Sequence, residues 1–177
     1  MTAPPSSRAL FAVLALAGTL NGGCAGAPRE PAKTTRAPRG CADDFAPTGS
    51  LRSDLARLAT RCGGAYRFAP LTPILIATQD ERAPADAYSF QVRQPGACYR
   101  VYAVGDRGVR DLDLLLRDGA GQVLGGDLTR DAFPVLPPRA PLCIPEPGLY
   151  VLEVSVFSGR GRYAVQVWGD QRSIPIK

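Results

Sequence analysis

From Leu51 the apolar residues Leu51, Leu55, Leu58, Ala59 and Cys62 recur at helical spacing, with arginines and Asp54 opposite them and Gly63-Gly64 behind, which predicts one short amphipathic helix. A transitional apolar run, Pro73-Ile-Leu-Ile-Ala77, follows, and from Tyr88 the period changes to two. Tyr88, Phe90 and Val92 alternate with Ser89, Gln91 and Arg93. Tyr99, Val101 and Ala103 alternate with Arg100, Tyr102 and Val104, and Leu112, Leu114 and Leu116 with Asp111, Asp113 and Arg117. These are strands packed on one side. Asp118-Gly-Ala-Gly121 before Gln122-Val-Leu124 reads as a hairpin turn. Leu149 to Phe157 and Tyr163 to Trp168 read as two further strands around Ser158-Gly-Arg-Gly-Arg162, a second hairpin with a flexible basic tip. Between the two groups, Phe133 to Pro147 holds six prolines and is expected to be a long surface connection.

The pattern therefore predicts a mainly β fold with one helix, and the composition agrees. In 177 residues there is room for one ordinary domain, and the 19 glycines and 17 prolines punctuate short apolar runs. The net charge of +5 is concentrated before the predicted fold: Arg29, Lys33, Arg36 and Arg39 against Glu30 give residues 25–40 a net +3, whereas from Cys41 onward the balance is +1. No basic excess is left in the folded part to neutralise phosphates, so nucleic acid is not an expected partner.

Ahead of the fold, Ala9 to Leu20 is an apolar stretch after a single charge at Arg8. It has the length of a signal-peptide core and is too short to span a bilayer. Leu20-Asn-Gly-Gly-Cys24 resembles the lipobox of bacterial lipoproteins, although the family pattern has leucine three residues before the cysteine, where Asn21 stands. That resemblance implies lipid attachment at Cys24 and a membrane partner through the anchor. The competing reading is ordinary secretory cleavage nearby, giving a soluble periplasmic or secreted protein. With Cys24 lipidated, Cys41, Cys62, Cys98 and Cys143 form an even set in an oxidising compartment. Of three pairings, Cys41 with Cys62 and Cys98 with Cys143 is favoured, since each pair sits at the edge of one structural unit. A zinc site lacks both C-x-x-C spacing and histidine. The organisation expected is a signal peptide (1–23), a disordered tether (24–40), a helix with a connecting segment (41–84), a β-sandwich core (85–169) and a C-terminal tail (170–177).

Within the β region, the ordered blocks Asp86-Ala-Tyr-Ser-Phe90, a strand led by Gly96, Asp111-Leu-Asp-Leu114 with Asp118-Gly after it, Pro147-Gly-Leu-Tyr-Val151 and Gly161-Arg-Tyr-Ala-Val165 resemble the bacterial pre-peptidase C-terminal domain. The resemblance covers residues 85 to 169 and implies a jelly-roll-like antiparallel β-sandwich. It also implies a non-catalytic accessory or binding module, sometimes one that recognises polymeric substrates. Those domains usually trail a secreted peptidase; here a leader, a tether and one helix stand in front, and the cysteine pair is an addition.

The absence of histidine excludes every Ser-His, Cys-His and histidine-metal arrangement, and lysine occurs only at Lys33 and Lys177, outside the expected core. A carboxylate-dependent hydrolase needs only two acids and stays as a remote alternative. Asp111, Asp113, Asp118 and Asp127 gather around one strand and its turns, as calcium ligands do, which makes calcium the one candidate cofactor; solvated strand and turn positions are the plainer reading. Tyr102 and Trp168 fall on the strand parity opposite to their more apolar neighbours. They are candidates for an exposed aromatic face that stacks on sugar or grips a protein, against packing beneath the helix. Arg160 and Arg162, at the predicted hairpin tip, are candidates for contact with an acidic polymer, against a solvated turn. The expected function is that of a lipid-anchored envelope protein, at the outer membrane, displaying a β-sandwich that binds envelope protein or polysaccharide. A structural or assembly subunit of an envelope complex is the alternative.

Overall fold

A computed structural model describes residues 40–170. Helix α1 (Leu51–Gly63) ends in a 3-10 turn and precedes nine strands: β1 (Ala69–Pro70), β2 (Leu75–Asp80), β3 (Asp86–Val92), β4 (Ala97–Gly105), β5 (Val109–Arg117), β6 (Val123–Asp127), β7 (Val135–Leu136), β8 (Leu142–Ile144) and β9 (Gly148–Gly169). The predicted transition at 73–77 thus leads into a strand, β2, whose six residues pair with Val165 to Arg160.

All strand pairs are antiparallel, and β9 is common to two sheets. Its first half lies between β3 and β5, with Tyr88 opposite Leu152 and Leu114 opposite Val154, and β6 extends this sheet beyond β5. Its second half lies between β2 and β4, with Ala77 opposite Tyr163 and Ala103 opposite Val165; β7 and β8 continue this second sheet past β4. The two sheets face each other across one apolar core. Leu112, Leu114, Leu116, Leu152, Val154 and Val156 come from the first sheet, and Tyr99, Val101, Ala103, Tyr163, Val165 and Val167 from the second. The fold is a β-sandwich with one helix.

Residues 158–162, expected as a hairpin tip, are instead the bend by which one continuous strand crosses between sheets. Gly159 has φ +96°, and the register of β5 against β9 slips on either side of Asp111, opposite this point. A glycine in mid-strand flanked by alternating apolar runs marks a bend or a bulge. A Cβ at Gly159 would lie 2.3 Å from the carbonyl oxygen of Gly108, and one at Gly161 would lie 2.1 Å from Oδ1 of Asp106. The bend therefore admits neighbouring backbone where any side chain would block it.

Helix α1 packs on the outer face of the second sheet. Leu51, Leu55, Leu58, Ala59 and Cys62 meet Tyr102, Val104, Val135 and Ala164 in a second apolar cluster. All nine residues of β4 are consequently buried. Its near-continuous apolar run, Ala-Cys-Tyr-Arg-Val-Tyr-Ala-Val, is that of a central strand covered on both faces rather than on one. Arg100, buried on the helix side, donates to the carbonyl of Cys62 in the last helical turn and to those of Pro137 (3.2 Å) and Pro138 (3.1 Å), and lies 5.4 Å from the centre of the Tyr66 ring. A guanidinium suits the negative end of a helix, and its planar fork satisfies several carbonyls together.

The start of α1 is held by Asp54, whose carboxylate accepts the backbone N–H of Thr48 (2.9 Å), that of Gly49 (2.9 Å), the Thr48 hydroxyl (2.9 Å) and Arg57 (2.8 Å). Burial acts to raise the Asp54 pKa, but these donors outweigh it and hold the carboxyl below its ordinary value. Between the sheets, Tyr163 donates to Asp86 (2.5 Å) and shares a hydrogen bond with Tyr88 (2.7 Å). Burial, then these two bonds, pushes the Tyr163 phenol far above the tyrosine range, so it stays a neutral clasp between sheets.

The disulfides are Cys41–Cys62 and Cys98–Cys143, the favoured pairing. The first ties the chain ahead of α1 to its last turn; the second joins directly opposed residues of β4 and β8. Closing loops of 21 and 45 residues stabilises each by about 3–4 kcal/mol in the chain-entropy picture. The proline-rich 133–147 segment is thus not a free surface connection, because β7 and β8 both pair with β4.

Two outcomes follow. Gly159→Ala should destabilise the domain by about 2–4 kcal/mol, combining strain at positive φ with collision against the Gly108 carbonyl, read as a lowered urea midpoint at unchanged m. Because the folded-state pKa of Asp54 is depressed, its contribution is fully present above the ordinary aspartate value and is lost as pH falls through the lower folded value. Asp54→Asn should cost about 1–3 kcal/mol at neutral pH and flatten that part of the acid limb in urea titrations.

Candidate functional site

Where β9 changes sheets, the chain leaves an open cleft of about 810 Å³ bordered by Thr48, Thr78, Asp80, Asp106, Arg107 and Arg160. Around the same corner a second hollow of about 500 Å³ lies among Glu81, Arg82, Arg110 and Gly159. The bend in β9, the β2–β3 turn and the β4–β5 turn build both.

Three acids at the corner face the backbone. Asp106 Oδ1 accepts Gly108 N–H (3.1 Å) and its Oδ2 accepts Arg162 N–H (3.0 Å), fastening the β4–β5 turn to the bend. Glu81 Oε2 accepts Gly159 N–H (3.0 Å), and Asp80 Oδ1 accepts the N–H groups of Arg82 (2.8 Å) and Ala83 (3.1 Å). The backbone adds bonds from Arg160 N–H to the Gly108 carbonyl (3.0 Å) and from Asp106 N–H to the Arg162 carbonyl (2.8 Å). Beneath them Gln79, buried on β2, accepts Val156 N–H (2.5 Å) and donates to the Pro84 carbonyl (2.8 Å), replacing ladder bonds where β9 turns away.

Five arginines surround these acids. Arg82, Arg107, Arg110, Arg160 and Arg162 are all exposed. Arg162 approaches Asp106 at 3.7 Å and Arg110 approaches Glu81 at 4.0 Å, both weak surface pairs. The corner therefore carries five exposed arginines and three carboxylates that accept from the main chain.

The other predicted site residues are distributed as follows. Tyr102, a candidate for an exposed face, is wholly buried under α1 and makes an edge contact with Trp168, ring centres 5.8 Å apart. Trp168 is half-buried against the same cluster and donates to Gln166 (2.9 Å). Of the two readings given for this pair, the structure shows packing beneath the helix, which covers the face that strand parity alone leaves to solvent. Asp111, Asp113, Asp118 and Asp127 do not assemble a calcium site: among the described residues no group of three His, Cys, Asp or Glu is placed to hold a metal. Asp118 caps its turn by accepting from Ala120 (2.9 Å) and Gln122 (2.8 Å). Asp127 is buried and accepts from Thr129 (2.7 Å) and from Val135 N–H (2.8 Å), guiding the chain from the first sheet to the second. Asp111 and Asp113, expected on a solvated face, are buried where the chain after β6 returns over this end of β5, Leu112 N–H donating to the Asp131 carbonyl at 2.9 Å. Burial raises the Asp131 pKa, and the neighbouring Asp127 and Asp111 add to the rise.

Of the predicted site residues, only Arg160 and Arg162 stand at the corner, and Cys24 lies outside the described residues, as do the segments expected to be a signal peptide and a tether through residue 39 and the expected tail from residue 171. Thr48, Gln79, Asp80, Asp106 and Arg107 were not legible as a set because the topology gathers them from three separate segments. The one available signal was Gly159-x-Gly161: without an Asn-Gly or Asp-Gly pair, glycines between two alternating runs favour a bend over a tight turn.

No family model matches the chain, and no curated protein matches it. Among solved structures it is similar to the 1.0 Å crystal structure of a pre-peptidase C-terminal domain of collagenase from Bacillus anthracis, at 17% identity and a TM-score of 0.45, with 55% of this chain and 89% of that chain covered.

Proposed function

We propose that the protein is an exported, non-catalytic envelope component, attached to the outer membrane by lipid on Cys24, whose β-sandwich is a binding module for envelope polysaccharide or protein. The observation that carries the reading is the corner cleft and the hollow beside it, where five exposed arginines outnumber the three acids Asp80, Glu81 and Asp106, each of which also accepts from the main chain. The two disulfides support an oxidising destination. The apolar leader and the cysteine that follows it support a lipid anchor. Through a tether with no large apolar residue, such an anchor holds the module near the membrane while leaving its corner accessible.

A second reading, an assembly subunit, is favoured by Leu149 at 53% and Val123 at 46% exposure, in and beside the first sheet away from the cleft. Apolar side chains left in water there suit a protein contact better than a sugar.

Two experiments test the proposal. Cys24→Ala should release the full chain from the membrane to the soluble fraction of its host envelope; retention in the membrane despite the substitution would overturn lipid anchoring. The oxidised full chain, immobilised and exposed to envelope polysaccharide and to solubilised envelope proteins, should retain polysaccharide equally with calcium and with chelator. Stoichiometric capture of one protein and no polysaccharide would establish the assembly subunit instead.

A further inference from the structure

We infer that the ligand of the corner is an anionic polysaccharide, one bearing carboxylate or phosphate groups, held by Arg107 and Arg160 with Arg82 beside them. This rests on the binding-module reading above and names the ligand class for the same cleft.

The charge placement carries the inference. Five exposed arginines, Arg82, Arg107, Arg110, Arg160 and Arg162, converge from three chain segments on one corner of a domain whose overall balance from Cys41 onward is only +1. Arg110 and Arg162 have acids at 4.0 and 3.7 Å, whereas Arg82, Arg107 and Arg160 have no ion-pair partner among the described residues. Asp80, Glu81 and Asp106 are the nearby acids, each accepting from backbone N–H groups, so five arginines stand against three carboxylates and the corner keeps a net positive charge. Like charges kept this close without mutual neutralisation raise the local potential and draw anions to the cleft.

The cations are also held in place. Arg160 stands between Gly159 and Gly161, its own N–H bonded to the Gly108 carbonyl at 3.0 Å, so its Cα is fixed by the bend that the whole sandwich shares. Arg107 sits in the three-residue link between β4 and β5, next to Asp106, whose carboxylate accepts the N–H groups of Gly108 and Arg162. Guanidinium groups on rigid backbone spend less ordering entropy on each bond to carboxylate or phosphate. Thr78 adds an exposed hydroxyl side chain along the cleft. The cleft is open and polar, and no aromatic ring lines it, which suits a charged sugar chain better than a neutral one read by stacking.

The test uses the oxidised full chain with three probes: polygalacturonate, which carries carboxylates, inorganic polyphosphate, which carries phosphates without sugar, and neutral dextran. Polygalacturonate should be retained at about 20 mM salt and released by about 0.5 M, as screening shortens the reach of exposed charges, and dextran should not be retained. R107A/R160A should weaken retention at least about tenfold, as expected for two charge-assisted contacts, while R139A, in the link between β7 and β8, should leave it unchanged and both variants should melt like the parent. Polyphosphate bound more tightly than polygalacturonate, and weakened by the same double variant, would assign the corner to phosphate-bearing glycans. Full retention by R107A/R160A, or equal retention of dextran, would overturn the inference. If the parent still captured envelope polysaccharide in that case, the binding-module reading would stand without it; if it captured none, both would fall.

Discussion

Every layer of this domain is fixed by the path of β9, which belongs to both sheets and so sets their separation and relative direction at once. A strand of 22 residues cannot stay flat and close a sandwich, because sheet twist and the approach of the opposite sheet demand a turn partway. Gly159 supplies the turn, and Asp106, Glu81 and Gln79 replace the ladder bonds that it breaks. The inner residues on either side of the bend then meet in one core, with Leu152 and Val154 before it and Val165 and Val167 after it.

The helix converts the second sheet from an outer wall into a middle layer. This explains two features that look unrelated in the sequence: a strand apolar on both parities and an arginine inside it. Arg100 is tolerated there because the end of α1 and the Pro137-Pro138 segment bring three carbonyls to its fork. Charge buried against the negative end of a helix, with every guanidinium nitrogen hydrogen-bonded, is far less costly than the same charge in an apolar core. The Cys41–Cys62 bridge and the Asp54 cap act at opposite ends of the same helix, one covalent and one electrostatic.

The same bend that joins the sheets produces the cleft. Fastening a glycine bend requires acceptors for its freed N–H groups, and nearby acids serve that need. Their engagement with the backbone leaves the arginines of the three converging segments facing solvent. At this one corner the carboxylates fasten the bend to its neighbouring turns, while the arginine side chains are exposed.

The alternating runs of β3 and β5, the 118–121 turn, the amphipathic helix and the even set of four cysteines are all local or arithmetic properties, and the sequence by itself determined them, whereas which of three pairings forms was decided by the fold. Period-two and period-3.6 patterns are written in adjacent residues, and cysteine parity needs no geometry. The sequence also settled which chemistry is missing, since a chain without histidine has no histidine site in any fold. The tertiary structure decided what depends on contacts across the chain. It made residues 158–162 a bend rather than a hairpin, because two sheets compete for β9. It buried Tyr102, because a distant helix covers that face, and it spent Asp118 and Asp127 on turns rather than on a metal. It alone brought Arg82, Arg107 and Arg160 together, for residues far apart in sequence become neighbours only when strands pair.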